Sequence, residues 1–516
     1  MRTIVVGAGS AGAIVAARLS EDGRHEVVLV EAGPDYPDAA ERIETLPSDL
    51  ANGKQNAMRS HDWGLSYRAT EHRLFSFLDM AFPRGRVVGG SSAVNTCIAL
   101  RGQPFDYDEW AGLGLPEWSW ESCLPAFKRL ESDRDFPGSE WHGDDGPIPI
   151  RRHPPSELVR WQAAFLEACA ELGFPACDDS NDPTKTGAGP HAMNKTPDGH
   201  RVSAARAYLD ARVRARKNLA IVPNTLVRRV KCTYGRVQGV EVERFGAVSE
   251  LACDRVVLAG GAIATPGILL RSGIGPERDV LRLGVSLVRD VPGVGARLLD
   301  HPGLAVFFLP VEKGLASIDD PLVQTVCRYT SEGSACPDDM QLQPGSFIPL
   351  PHLPVAGVTL ATCLGKPLGH GRLRYDSARA DARPTIETAF LVHEEDRRRA
   401  REALRWIGRL SQTKALSALA RPVYPSRKPF GPDGELRTPL EQITGSGYHP
   451  CGTTPMGPDD DPMAVTDGRG RVRGVRGLYV ADASLMPTIP SSNTNVPTLM
   501  IGEKMGEWLR DEASFA

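Results

Sequence analysis

An α/β fold built on a parallel sheet is what this chain of 516 residues predicts, and two observations predict it. The first is the opening stretch TIVVGAGSAGAIVAARLSEDGRHEVVLVEAGP, in which two apolar runs flank a glycine turn and an alanine-rich segment at the spacing of a βαβ unit. The second is that further glycine-rich segments return in the middle and near the end of the chain. With 41% hydrophobic residues the chain can bury a large core, and at about 100 to 200 residues per domain its length suits two or three domains.

Residues 3 to 6 read as a buried strand, followed by a tight turn, a helix to about Leu19 and a second strand from Glu26 to Val30 that ends at Glu31. Gly7 permits the sharp turn, Gly9 lets the backbone approach a pyrophosphate, and Gly12 lets the helix pack closely on the strand. The helix's first amides face the phosphates. Glu31 lies about 20 residues past the glycines, where its carboxylate suits ribose hydroxyls. The pattern is that of a Rossmann-like dinucleotide-binding domain, and it does not by itself separate FAD from NAD.

Net charge is −4, from 60 Lys and Arg against 64 Asp and Glu, which favours neither nucleic acid nor an anionic membrane as partner and leaves a small molecule. The ten cysteines form no C-x-x-C pair, so reduced thiols and a cytoplasmic location are expected. No run of 18 apolar residues occurs, so no transmembrane segment is expected. The N-terminal apolar stretch imitates a signal peptide, but the glycine spacing and the next strand explain the same residues, and export is not expected. No compact cluster suggests a metal site.

Residues 83 to 102, PRGRVVGGSSAVNTCIALRG, add a second glycine-serine loop that an ordinary NAD fold does not need. With GGAIATPGILLRSGIGP from Gly260, VPGVGARLLDHP from Val291 and GLYVADASLMPTIPSSNTNVPTLMIGEK from Gly477, the chain resembles the glucose-methanol-choline (GMC) flavoprotein oxidoreductases over essentially its whole length. The resemblance implies FAD, with Gly7, Gly9, Ser10, Gly12, Glu31 and Val227 around its ADP half. It places Arg86, Gly89, Gly90, Ser91 and Asn95 along the pyrophosphate and isoalloxazine, and Asp482 with Ala483 near the ribityl or pyrophosphate region. A helix cap is the alternative for Asp482. Some members of the family attach FAD through a histidine where this chain has Val94, so non-covalent FAD is expected.

The same resemblance puts His449, in GYHPCGT, and Asn495, in SSNTNVPT, at the flavin's reactive N5 edge. A neutral imidazole suits removal of an alcohol's hydroxyl proton near neutral pH, and an amide can hydrogen-bond the same oxygen. Pro450 biases His449 toward an extended backbone. By itself a histidine in such a turn reads as a structural residue satisfied by a carbonyl; the surrounding motif reverses that preference. His301, in LLDHP, reads as structural. Cys451 and Pro455 find no explanation. After Asn495 the sequence predicts a helix with Pro497 in its first turn, its positive end toward the active site.

The expected organisation is a discontinuous FAD-binding domain from residues 1–155, 215–305 and 445–516, and a substrate domain from 156–214 and 306–444, of α+β type on an antiparallel sheet as the resemblance implies. The proline-rich PGSFIPLPHLPVAGVTLATCL suggests a loop leading into a sheet strand, and HEEDRRRAREALRWIGRL a surface helix with Leu404, Ile407 and Leu410 on its inner face. The implied activity is oxidation of the CH-OH group of an alcohol, with His449 as base, Asn495 as hydroxyl partner, hydride transfer to flavin N5, and oxygen or another acceptor taking the electrons. Tyr448 beside the base hints at an uncharged, aromatic or primary alcohol. A lyase that uses FAD structurally, like the hydroxynitrile lyases of the family, is the alternative. The presence of both His449 and Asn495 argues against a light-driven decarboxylase, and a nucleotide-binding protein without catalysis leaves the tail motif without purpose.

Overall fold

A computed structural model of the chain describes residues 1–57, 60–68, 79–349 and 356–512. The opening βαβ unit forms as its pattern predicts: β1 (Arg2–Val6), α1 (Ser10–Leu19) and β2 (Glu26–Val30). Three later strands join them, β3 (Leu219–Val222), β4 (Arg255–Leu258) and β5 (Leu478–Val480), in a wholly parallel sheet of order β5-β4-β1-β2-β3. Covered on both faces, β1, β2 and β4 carry unbroken apolar runs, IVV, VVLV and VVL, and are buried along them.

The strand order reverses around β1, with β2 on one side and β4 on the other. That reversal opens a crevice at the carboxyl ends of the strands, the place where open α/β sheets bind ligands. Two more helices frame it, α2 (Gly261–Arg271) after β4 and α3 (Asn495–Glu512) after β5. A Cβ on Gly502 of α3 would lie 3.0 Å from the backbone of Ala11. Glycine at that position therefore lets α3 lie directly on α1.

The second layer is a seven-stranded antiparallel sheet, which bears out the expected α+β architecture. In spatial order its strands are Ala420–Tyr424, Pro302–Pro310, Ala356–Leu364, Met340–Pro349, Thr325–Tyr329 and Gly187–Pro190, with Thr444–Ser446 pairing the start of Pro302–Pro310. Pro302–Pro310 alternates buried and half-buried residues, the period of a strand with one face on a core. Within the proline-rich stretch residues 350–355 lie outside the described residues, and the strand after them begins at Ala356. The helix Glu394–Gln412 buries Leu404, Ile407 and Leu410 and turns Arg401 outward.

All ten cysteines are free thiols. Among the described residues no helix is long and apolar enough to cross a membrane. A buried ion network pins the loops beside the parallel-sheet layer: Arg152 bridges Asp133 and Asp179, Arg101 holds Glu131, and both ring nitrogens of His142 face carboxylates.

Candidate active site

The two glycine loops meet at the crevice. Gly7 donates its N–H to Val30 O at 2.8 Å, and Glu31 closes the turn from the tip of β2, its carboxylate accepting Ala8 N at 2.9 Å and Gly33 N at 2.8 Å. Burial pushes the Glu31 carboxyl above its ordinary range, and these N–H groups oppose the shift. From the other loop Gly89 donates to Ala8 O at 2.7 Å. A Cβ on Gly90, at φ +52, would come within 2.6 Å of Gly9 Cα. The loops touch backbone to backbone, a contact that side chains would prevent.

His449 arrives at the same place from the opposite layer. The segments 299–301 and 449–451 face each other through the antiparallel bridge of Leu299 with Cys451, which gives Cys451 a place in the core. In that register residue 301 falls opposite residue 449. The rings of His301 and His449 meet edge to face, with their Nδ1 atoms 2.9 Å apart. Asp300 holds both backbones: its Oδ1 accepts His301 N and His449 N, each at 2.8 Å, and its Oδ2 accepts the hydroxyl of Ser446. Tyr448, with φ +64, makes the kink that turns the strand end toward the cavity.

Nε2 of His449 lies 2.9 Å from Nδ2 of Asn493. The partner expected from the sequence was Asn495, two residues on. Its side-chain oxygen instead accepts Ser10 Oγ at 2.9 Å, on the parallel-sheet side. The physical reason is where α3 begins: Asn495 is its first residue and faces α1, whereas Asn493 still belongs to the extended approach and faces the histidine. Burial, then His301 and then Arg84, drive the pKa of His449 well below the ordinary imidazole value, so the ring is neutral at neutral pH. Arg84 lies close by, its Nη2 donating to Tyr448 O at 2.9 Å. Sequence reasoning missed Asn493, Arg84 and Asp300 and read His301 as structural. The doubled asparagine of SSNTN was the one local signal for Asn493.

A cavity of about 1110 Å³ joins the two layers. Its wall includes Gly7, Gly9, Ser10, Glu31, Gly90, Ser91, Asn95, Val227, Asp482, Ala483, His449 and Asn495 of the expected residues, together with Arg84 and Asn493. Gly12, Arg86 and Gly89 do not line it. A Cβ on Gly12 would strike Gly7 O at 1.9 Å, so its place is the helix–strand contact; Arg86 lies over the Trp63 ring; Gly89 is turned into the contact between the loops. Asp482 serves as a cap: Oδ1 accepts Ser484 N and Oγ, and Oδ2 accepts Gly261 N and Thr265 Oγ1. Four bonds fill a carboxylate's usual capacity, so the cap that was the alternative reading forms, at a position that also lines the cavity.

The wall fits a flavin dinucleotide. The glycine cradle has room only for backbone, and the volume exceeds the ~300–1,000 Å³ of ordinary ligand pockets, enough for a dinucleotide and a substrate together. Asn495 Nδ2 and Asn493 Oδ1 are buried without a partner among the described residues, one donor and one acceptor awaiting a bound group.

Comparison with known proteins agrees with this geometry. The family model described as GMC oxidoreductase matches residues 1–303 and, in its C-terminal part, residues 367–502. The chain is 34% identical over 535 residues to 5-(hydroxymethyl)furfural oxidase of Methylovorus sp. (strain MP688), covering 99% of this chain and 98% of that one. It is 33% identical over 548 residues to an oxygen-dependent choline dehydrogenase of Stenotrophomonas maltophilia (strain K279a), covering 99% and 95%. Among solved structures, pyridoxine 4-oxidase from Mesorbium loti superposes with a TM-score of 0.87 at 30% identity, over 98% of each chain.

Proposed function

The chain belongs to the GMC oxidoreductase family and is an FAD-dependent oxidoreductase, and from that premise we propose that it oxidises the CH-OH group of an uncharged, largely apolar alcohol with His449 as the general base. The observation that carries this reading is the apposition of His449 Nε2 and Asn493 Nδ2 at the cavity wall. An alcohol oxygen seated against both atoms from the cavity satisfies both: its hydroxyl donates to Nε2 while its lone pair accepts the Asn493 amide hydrogen, which turns to it from Nε2. The pair removes the proton and at the same time fixes which way the carbinol C–H points, so its contribution is positional as well as acid-base. FAD, held by the glycine cradle when bound, would supply the hydride acceptor, and oxygen or another acceptor would take up the electrons.

The cradle of Gly7, Gly9, Gly90 and Ser91, with Glu31 and Asn495, would hold the cofactor. Val94, buried in an apolar cluster with Leu50 and Val87, offers no nucleophile for a covalent link, so flavin should be released by acid precipitation. The substrate class follows from the wall. Among the described lining residues contributed by the antiparallel sheet, such as Phe307, Gln343, Ile348 and Ala361, none is acidic, and the cation Arg84 lines the cavity beside His449, while the Asp300 carboxylate behind His449 is buried and engaged by two backbone N–H groups and Ser446. A quaternary ammonium substrate beside His449 would meet like charge at Arg84, with no carboxylate among the described lining residues of the antiparallel sheet facing it. Although choline names several relatives, the site suits an uncharged alcohol better.

The test is anaerobic reduction of the yellow protein by a panel of alcohols, followed by air. His449→Ala should keep FAD yet reduce at least ~10²-fold more slowly, the contribution expected of a positioned base. Unimpaired reduction in that variant would remove His449 from the role. A panel in which choline reduces the flavin faster than benzylic or furanic alcohols would overturn the substrate class.

A further inference from the structure

Nε2 of His301 lies 3.0 Å from Gly365 O and 2.9 Å from Pro490 O. Carbonyl oxygens only accept, so this nitrogen carries a hydrogen. Burial lowers the His301 pKa to about 4, which keeps the ring neutral, and a neutral ring protonated at Nε2 has a bare Nδ1. That bare nitrogen faces His449 Nδ1 at 2.9 Å, where one partner must donate. The donor is therefore His449 Nδ1–H. Its own Nε2, by the same exclusion, is bare and directed at the Asn493 amide.

We propose that His301 is a positioning residue: through two backbone carbonyls it fixes the tautomer of His449 so that the lone pair needed to take the substrate's proton sits on Nε2, at the cavity. The inference rests on His449 being the base. A neutral imidazole without a partner at Nδ1 samples both tautomers, and the one with Nε2–H presents a donor to the alcohol and cannot act as base. The lock needs no motion and no charge on His301. When the alcohol's proton moves to Nε2, the Nδ1–H of His449 stays on its acceptor, and the imidazolium is held in the plane it already occupies. Asp300, which accepts the backbone N–H of both histidines, keeps the two rings in register.

Two variants separate the acceptor from the shape of the ring. His301→Leu removes the acceptor with similar bulk, and His301→Asn places a carbonyl oxygen close to where Nδ1 was, an acceptor only. In anaerobic flavin reduction H301L should fall about tenfold, from the smaller fraction of His449 bare at Nε2 and the lost acceptor for its Nδ1–H, while H301N stays within about threefold of wild type. Both should retain FAD absorbance, which reports folding.

Independently of turnover, ¹⁵N-histidine NMR of the oxidised holoenzyme, with H449A identifying the signals, should show His449 protonated at Nδ1 and bare at Nε2. In H301L that pattern should collapse to a mixture. A wild-type signal with the proton on Nε2, or equal loss in H301L and H301N, would overturn the lock. Reduction unimpaired in H301L but crippled in H449A would remove the lock and keep the base; reduction unimpaired in both would remove the base itself.

Discussion

Asp300→Asn should make the protein more stable and less active, by an amount that the site's geometry sets. The carboxylate accepts two backbone N–H groups and a hydroxyl, yet burial still pushes its pKa up to about 6 from 3.8. Between those values the native state holds a proton that the unfolded chain has released, so stability falls as pH rises, at ~1.4 kcal/mol per unit, or about 3 kcal/mol across the interval. Above pH 6 the loss is complete. Asparagine is a neutral isostere whose Oδ1 can accept both N–H groups while its amide donates to Ser446 Oγ, so it avoids the loss. With unfolding entropy of about 2.1 cal/mol/K per residue over the whole chain, the gain corresponds to roughly 3 °C in the unfolding midpoint at pH 8. It should vanish toward pH 4, where wild-type Asp300 is also neutral. Thermal unfolding of the two holoenzymes at intervals from pH 4 to 8 reads this directly. Equal midpoints at pH 8, or a difference that does not shrink on acidification, would refute the reasoning. Flavin reduction should slow in the same variant, because the ionised carboxylate on the backbone of His449 favours the imidazolium that proton abstraction creates.

The two asparagines should separate by phenotype: Asn493→Ala slows anaerobic flavin reduction about 10- to 10²-fold with FAD affinity near wild type, whereas Asn495→Ala, which strands Ser10 Oγ, weakens FAD retention measured by flavin release. Gly90→Ala, whose methyl would meet Gly9 Cα at 2.6 Å in a left-handed backbone, should abolish FAD binding while far-ultraviolet circular dichroism still reports a folded chain. His142 supplies a second pH signature. Burial opposes its charge, but hydrogen bonds to Asp179 and Glu131 outweigh burial and raise its pKa above 6.5. Its contribution is therefore complete below pH 6.5 and lost as pH rises through the raised value; His142→Gln should lie about 3 kcal/mol below wild type at pH 6, with the gap narrowing as pH rises above 6.5. Urea unfolding that shows a constant gap would remove His142 from that role.

What was legible in the sequence was what is local. The βαβ opening could be read because strand, turn and helix follow one another within thirty residues, and Gly12 answers to a backbone contact within that turn. The first two parallel strands could be read because burial on both faces leaves an unbroken apolar run. The partner of His449 could not be chosen in the same way. Asn493 and Asn495 differ by two positions in a segment that changes from extended chain to helix between them, and that change sends their side chains to opposite walls. Nothing in SSNTNVPT marks the boundary more closely than the proline at 497, which tolerates several starts.

His301 was out of reach for a different reason. Its meaning lies in a nitrogen 148 residues away and in two carbonyls from separate loops, and a histidine flanked by Asp and Pro is an ordinary turn residue until the antiparallel bridge of Leu299 with Cys451 sets it opposite His449. The proposed base would thus be specified twice over long range, by the pairing that fixes where its ring stands and by the carbonyls that would fix which of its nitrogens is bare. A motif carries the first in its spacing. It cannot carry the second, because a proton's position depends on acceptors that the motif does not contain.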